Sequence, residues 1–508
     1  MSYFYITTPI YYVNDNPHIG HAYTTIACDI LARFNKLQGK KVYFLSGTDE
    51  HGQKVEKAAE INNKKPQDFV DEMSENFRNL IPNLGCEIND FIRTTQNRHI
   101  KAAQSLWSKL EKNNQIYLSN YEGWYSIRDE AFYLESELIK KNNIFIAPSG
   151  APVEWVKEES YFFKLSNWQD KLLTYYKDNP DSIKPQSRYN EVVSFIKSGL
   201  KDLSISRTTF KWGIPVPNNQ KHVMYVWIDA LCNYLTSLGY PNIDNDKFKN
   251  YWPGLHVVGK DILRFHSVYW PAFLMAADLQ PPKKVFAHGW WTNDGQKISK
   301  SLGNVINPYD IISEFGLDQF RFFLFREVPF GNDGDFCKNS ISQRINADLS
   351  NNFGNLIQRI CSFINKNCNS LIENNFNLIK EDQDILTSSK NCLDKYRMHM
   401  NNQEIDKAIK KIFELLSESN IYIDKQAPWS LKKTDVSRMN VVLSVSIELI
   451  KRSTFMLSPI IPESTKKIFN LLNINFKTLS FDNIFEINSF SQKINTAKPI
   501  FPRIEVND

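Results

Sequence analysis

Two short polar stretches hold the residue types best suited to handling phosphate. His18-Ile19-Gly20-His21 sets two imidazoles three residues apart around a glycine, and Lys297-Ile298-Ser299-Lys300-Ser301 sets two ammonium groups among hydroxyls. Imidazole N–H groups can hold phosphate oxygens without carrying a fixed charge at every pH. Gly20 removes a side chain and leaves room for a flat base or a ribose against the backbone. The lysine stretch lies between Asn293-Asp294-Gly295-Gln296 and Leu302-Gly303-Asn304, with a glycine on either side that lets it move. Ammonium groups brought to where phosphoryl charge develops stabilise a transition state more than a ground state. Alone, each stretch has a plain alternative: surface histidines at a helix cap, or an ordinary solvated loop. Their occurrence in one α/β domain, His18 and His21 after its first strand and Lys297 and Lys300 after a later one, favours a shared phosphate-handling role over either plain alternative.

The elements around them say how such a site is held. Phe4-Tyr5-Ile6-Thr7-Thr8 is a β-branched and aromatic run. After Pro17, Ile19, Tyr23, Ile26, Ile30 and Phe34 recur at helical spacing up to Gly39. Val42-Tyr43-Phe44-Leu45 then empties into Ser46-Gly47-Thr48-Asp49-Glu50-His51-Gly52. This strand–helix–strand unit predicts a parallel sheet with ligands at the carboxyl ends of its strands. There a helix N-terminus is expected to offer free N–H groups and a partial positive charge.

An aromatic and charged stretch from Ile116 to Arg207 breaks the rhythm and reads as an insertion. The α/β pattern resumes with Tyr225-Val226-Trp227-Ile228, Leu255-His256-Val257-Val258 and Lys284-Val285-Phe286-Ala287-His288. Beyond Asn346 the apolar positions keep helical spacing, as in Ile405, Ala408, Ile409, Ile412, Leu415 and Leu416. The expected fold is therefore α/β: a Rossmann-like parallel-sheet catalytic domain with an inserted connective domain, followed by an all-α helical bundle. The expected boundaries are 1–115 and 208–290 for the catalytic halves, 116–207 for the insertion, 291–345 for the lysine-loop region and 346–508 for the bundle.

Composition narrows the setting. A chain of 508 residues exceeds one hydrophobic core, and 42% hydrophobic with 23% charged residues is ordinary for a soluble protein. A net charge of +5 permits nucleic-acid binding through local patches without demonstrating it. Seven scattered cysteines, with no Cys-x-x-Cys pair, argue for a reducing compartment and hence the cytoplasm. No run approaches the roughly 20 apolar residues of a membrane span, and the first residues read as a strand rather than a signal peptide.

The two polar stretches resemble the signature motifs of class I aminoacyl-tRNA synthetases, and their surroundings are similar to the methionyl-tRNA synthetase family. The likeness runs through Thr8-Pro9-Ile10-Tyr11-Tyr12-Val13-Asn14, Gly47 to Gly52, Tyr225 to Ala230, Val258-Gly259-Lys260-Asp261-Ile262 and Gln426-Ala427-Pro428-Trp429. The resemblance implies activation of methionine by Mg2+-bearing ATP and transfer to tRNA(Met), the initiator included. It implies a methionine site of Ile10, Tyr12, Asp49, Trp227, Ala230, Leu231, Tyr234, Ile262, His266 and Trp270. Asp49 is placed to accept the α-ammonium, and the aromatics suit a thioether. ATP would meet His18, Gly20, His21, Lys260, Asp261, Lys297, Ser299 and Lys300. Asn355, Arg359 and Trp429 would read the anticodon, although a tryptophan in a bundle is more often core.

The pattern departs in the insertion, where Ser126 and Asp129 stand where a Cys-x-x-Cys falls in many relatives. Serine is a poor zinc ligand, so no zinc is expected there, and the fold should rest on Trp124, Tyr125, Phe132 and Tyr133. No strand-rich extension follows the bundle, which favours a monomer. Three rivals stay open: a sibling synthetase for leucine, isoleucine, valine or cysteine; a small-molecule nucleotidyltransferase; and a non-catalytic RNA-binding module.

Overall fold

Side chains alternate between the two faces of a strand, and in this sheet each face finds its own core. The computed structural model describes residues 2–14, 16–126, 131–133, 135–141, 144–293, 295–298, 304–374, 377–487 and 490–505. Its main sheet is parallel and runs Ile183–Lys184, Lys284–His288, Leu255–Gly259, Tyr3–Thr7, Lys41–Asp49, the last also pairing with Tyr11–Tyr12 and Asp90–Arg93. Ile6, Phe44, Leu255, Val257 and Phe286 pack on the side of helix Ile19–Leu37. Tyr5, Tyr43, Leu45, Val258, Val285 and Ala287 belong to the opposite core, with helices Asn97–Lys112, Val226–Thr236 and Trp270–Ala276. The order places Tyr3–Thr7, which leads to His18, directly beside Leu255–Gly259, which leads to Lys260. Helix Ile19–Leu37 stops before Gly39, whose φ of 73° a side chain would resist.

One expected strand is a helix. Tyr225-Val226-Trp227-Ile228 has strand-forming residue types, yet Val226–Thr236 is helical and the strand ends earlier, as Asn219–Met224. Positions 227, 230, 231 and 234 fall on one helical face, and tertiary burial of that face overrides local preference.

The insertion is built on a long antiparallel pair, Ile116–Ser126 with Glu154–Phe163. Trp124 packs against Phe145 and Trp155, ring centroids 4.9 and 5.4 Å apart. Asp129 and the Phe132 side chain lie outside the described residues. The later part of the 116–207 segment rejoins the main sheet, where Ile183–Lys184 forms its edge.

The last third is a bundle of helices Asn355–Asn367, Lys380–Asn401, Ile405–Gln426, Val436–Leu457 and Pro462–Leu471. Leu371–Asn374 and Phe490–Lys493 add a two-stranded antiparallel ribbon that fastens the chain end to it. This bundle shares one continuous apolar core with the helix Ile19–Leu37 side of the sheet.

Where they meet stands Arg321, fully buried on helix Leu317–Arg326. Its Nη2 donates to Asp29 Oδ2 at 2.7 Å and to the Pro459 carbonyl at 2.9 Å; Nε donates to the Ile460 carbonyl and Nη1 to that of Leu84, both at 2.9 Å. Asp29 is on helix Ile19–Leu37 and Pro459–Ile460 enter helix Pro462–Leu471, so one guanidinium ties sheet to bundle. Removing this guanidinium takes a donor from the carbonyls of Leu84, Pro459 and Ile460. It leaves buried Asp29 with Arg33 Nε, at 2.7 Å, as its remaining ion-pair partner among the described residues. Arg321→Met is expected to cost about 3–5 kcal/mol of stability, read as a lower urea midpoint; an unchanged midpoint would contradict this role.

Candidate active site

At the carboxyl edge of the sheet, the first turn of helix Ile19–Leu37 caps itself. His18 Nδ1 accepts the Gly20 N–H at 3.0 Å, and His21 Nδ1 accepts the His18 N–H at 3.1 Å. A Cβ on residue 20 would come within 2.9 Å of the His18 ring, so Gly20 makes room for that folded-back imidazole. The Ile19 N–H donates to the Ile306 carbonyl at 3.1 Å, and the His21 N–H to the His18 carbonyl at 3.0 Å. The expectation of free N–H groups is thus corrected. The amides of residues 18 to 21 are spoken for, and what this terminus can offer an anion is imidazole.

The same bonds settle each proton. An Nδ1 that accepts carries no hydrogen, so in neutral imidazole Nε2 holds it. Burial lowers the His18 pKa below its ordinary value, and burial together with the neighbouring His18 pushes His21 well below. Both rings, 4.0 Å apart between centroids, are therefore neutral Nε2–H donors at neutral pH. Tyr11 and Phe77 pack edge-on against His21 at 4.8 and 5.1 Å, and Thr24 Oγ1 meets His288 Nε2 at 2.7 Å.

On the opposite rim, Lys260 and Asp261 follow the strand Leu255–Gly259. Lys260 Nζ donates to both oxygens of Asp333 at 2.7 and 2.6 Å and lies 4.3 Å from the Trp290 ring centroid. Asp261 Oδ1 accepts the Trp290 indole N–H at 3.1 Å, and Asp333 accepts the Trp290 backbone N–H at 2.8 Å. Asp333 and Trp290 escaped the sequence reading. Asp333 gives no local signal because its partners are distant in the chain, although the Trp290-Trp291 doublet beside the lysine stretch was a visible clue.

Strand Trp291–Asn293 carries the lysine stretch. It pairs with Gln296–Lys297 and with Gly334–Phe336, and Asn293 Nδ2 donates to the Asn304 carbonyl at 3.0 Å, closing the base of the loop. Ser299 and Lys300, like the Lys297 side chain, lie outside the described residues.

The expected methionine residues converge. Trp227, Ala230, Leu231 and Tyr234 share the face of helix Val226–Thr236, while Ile262, His266 and Trp270 come from the next crossover. His266 lies in the π-helical turn Phe265–Tyr269, a form that often marks a working site. His266 Nδ1 meets the Ile262 carbonyl at 2.9 Å, which can only accept, so Nδ1 carries the proton and Nε2 accepts from Tyr234 OH at 2.7 Å. Burial lowers the His266 pKa to about 4, so the ring is neutral. Trp227 stacks on Phe265 at 3.4 Å, and Ile10 packs with Trp227 and Ala230. Asp49 is buried at the end of its strand, paired in register with Tyr12. The result is a packed apolar and aromatic cluster, with Tyr234 and Trp270 both buried and the buried acid Asp49 near Tyr234.

In the bundle, Arg359 Nη1 donates to Asp424 at 2.9 Å and its guanidinium lies 5.7 Å from the Trp429 ring centroid. Trp429 is 42% exposed, so it is not core, and Asn355 is exposed one turn before Arg359. Among the described residues no group of three or more histidine, cysteine or acidic side chains is placed to hold a metal ion.

Known proteins resemble this chain over nearly its whole length. The family model "tRNA synthetases class I (M)" matches residues 4–144 and 141–361, and "Anticodon binding domain of methionyl tRNA ligase" matches 374–506. The chain is 54% identical to a methionine–tRNA ligase of Rickettsia conorii over 99% of both proteins. It is 50% identical to one of Mesorhizobium japonicum over 93% of this chain and 91% of that one. It superposes with a TM-score of 0.96 on a methionyl-tRNA synthetase of Mycobacterium tuberculosis in complex with methionyl-adenylate, 42% identical, covering 99% of this chain and 100% of the other.

The depressed histidines set a pH dependence. His18, His21, His256, His266 and His288 all have folded pKa values below the ordinary 6.5. Between 6.5 and about 4 the unfolded chain binds protons that the folded chain refuses, so their stabilisation is complete above 6.5 and declines below it. Urea midpoints should therefore fall from neutral pH toward pH 5; a midpoint that holds or rises would contradict these neutral rings.

Proposed function

The chain belongs to the methionyl-tRNA synthetases of class I, and from that premise we propose how its residues divide the two steps of methionine–tRNA ligation. The enzyme activates methionine with ATP through methionyl-adenylate and charges tRNA(Met). Asp49 accepts the α-ammonium and leaves the methionine carboxylate facing the α-phosphorus. A carboxylate oxygen attacks in line, the bond from the α-phosphorus to the leaving oxygen breaks, and pyrophosphate departs with the Mg2+ that ATP brought. His18 and His21 donate Nε2–H to phosphate oxygens, and Lys297 and Lys300 take up the negative charge that builds on the leaving group. Asp261 holds the ribose hydroxyls. Lys260 exchanges Asp333 for phosphate. A 3′-terminal ribose hydroxyl of the tRNA then attacks the carbonyl carbon of the adenylate, and AMP leaves.

The observation that carries this reading is the pair of neutral, preorganised Nε2–H donors across the sheet edge from Asp261 and beside the aromatic cavity. Positioning and charge stabilisation supply most of the catalysis such a reaction needs. The aromatic wall disfavours the sibling synthetases, since Tyr12, Trp227, Tyr234 and Trp270 suit a thioether. Asn355, Arg359 and Trp429 read the anticodon, with Asp424 steering the guanidinium against the indole. Initiator and elongator tRNA(Met) share that anticodon and are both substrates. The enzyme acts as a monomer in the cytoplasm, and its free cysteines suit that reducing compartment. Among the described residues no helix is long and apolar enough to cross a membrane.

Pyrophosphate exchange across the amino acids, with and without tRNA, tests the assignment, and methionine should dominate. Lys300→Ala should slow adenylation on the order of 100-fold with methionine affinity near normal; a variant of full speed would remove that lysine from the mechanism. Trp429→Ala should impair tRNA charging and spare tRNA-free exchange. If both activities fall together, Trp429 is structural instead.

A further inference from the structure

Helix Val226–Thr236 carries one deeply buried carboxylate, Asp229. On helix Val226–Thr236 the residues assigned to methionine share one face, and Asp229 lies on the opposite side. Its side chain is 1% exposed. Oδ2 accepts from His51 Nδ1 at 2.7 Å, and Oδ1 from His99 Nε2 at 2.8 Å. Against the burial that would raise its pKa, the charges and hydrogen bonds of the two histidines hold it at about 2, so it is a carboxylate. His99 stands on helix Asn97–Lys112 and reaches Thr236, the last residue of the cavity helix, through Nδ1 at 3.2 Å.

His51 is two residues past Asp49, and the residue between them is equally fixed. Glu50, fully buried, accepts from Arg93 at 2.7 and 3.0 Å, from Thr48 at 2.7 Å and from Thr95 at 2.5 Å. The Trp212 indole N–H donates to the Glu50 carbonyl at 2.6 Å, and Trp212 meets the His51 ring edge-on at 5.6 Å. The loop that presents Asp49 is thereby immobilised on one side by Glu50 and joined to the cavity helix on the other by His51. A buried charge between imidazoles contributes less stability than well-packed apolar residues would. Its particular effect is to fix direction and distance between the elements it joins.

We propose that Asp229 is a positioning residue for methionine: through His51 it sets the spacing between Asp49 and the helix face bearing Trp227 and Tyr234. Ammonium and side chain of one amino acid then meet both partners at once. The inference rests on the methionine site described above. A neighbouring substrate, ATP, makes no use of this link, and that separates positioning from general support of the fold.

Steady-state pyrophosphate exchange on the full chain tests it. His51→Ala should raise the KM for methionine roughly 10- to 100-fold, the range expected when a charge-assisted buried hydrogen bond is lost. KM for ATP should stay within about twofold. His51→Asn, whose side-chain amide stands near the place of Nδ1–H, should restore most of the methionine affinity. Asp229→Asn, nearly isosteric, provides a second reading in the same direction. Asp49→Asn run in parallel tests the site itself: if it leaves the methionine KM unchanged, the site assignment fails. If Asp49→Asn raises that KM while His51→Ala shifts methionine and ATP alike, or neither, the positioning role is overturned and the site stands. Failure of His51→Asn to recover affinity would also overturn it.

Discussion

The rest of the structure depends on how the first turn of helix Ile19–Leu37 caps itself. Two backbone N–H groups are consumed by the Nδ1 atoms of His18 and His21, and a third by the Ile306 carbonyl. That arrangement turns two ambiguous rings into donors of known direction. It also couples the helix to the chain that leaves the lysine loop, because Ile306 follows that loop closely. The same helix carries Asp29 farther along, where Arg321 joins it to the bundle. One helix therefore carries both imidazole donors, meets the chain that leaves the lysine stretch and is tied to the helical bundle.

In the proposed methionine site two polar side chains settle their hydrogen bonds within the cluster, whereas the Trp270 indole N–H is buried there without a partner among the described residues. Tyr234 donates to His266 and His266 to Ile262, leaving a neutral wall that asks little of a side chain except shape and polarisability. Discrimination by such a wall is limited, since one methylene is worth about 1–3 kcal/mol. In the proposed site the charge demanded of the substrate is concentrated at Asp49, while Glu50 and His51 beside it face other partners.

Much of this was legible in the chain. The strand–helix–strand opening, the end of the helix near Gly39 and the helical bundle follow from periodicity and turn chemistry that act locally. The family resemblance brought together Trp227 to Trp270, and the structure groups them on two adjoining elements. What the sequence hid is long-range. That the helix amides are occupied depends on Ile306; that Lys260 rests on Asp333 depends on a segment far along the chain; the sheet-to-bundle tie depends on Arg321 meeting carbonyls from two other regions. Local preference also misread Tyr225 to Ile228, where burial of a helical face outweighs strand-forming side chains.

The most direct measurement is a crystal structure with methionine and a non-hydrolysable ATP analogue. The account predicts both Nδ1 atoms still engaged in the cap and both Nε2 atoms within hydrogen-bonding distance of phosphate oxygens, with the methionine ammonium on Asp49. Imidazoles turned away from the triphosphate, or phosphates seated on the backbone amides of residues 19 to 21, would contradict it.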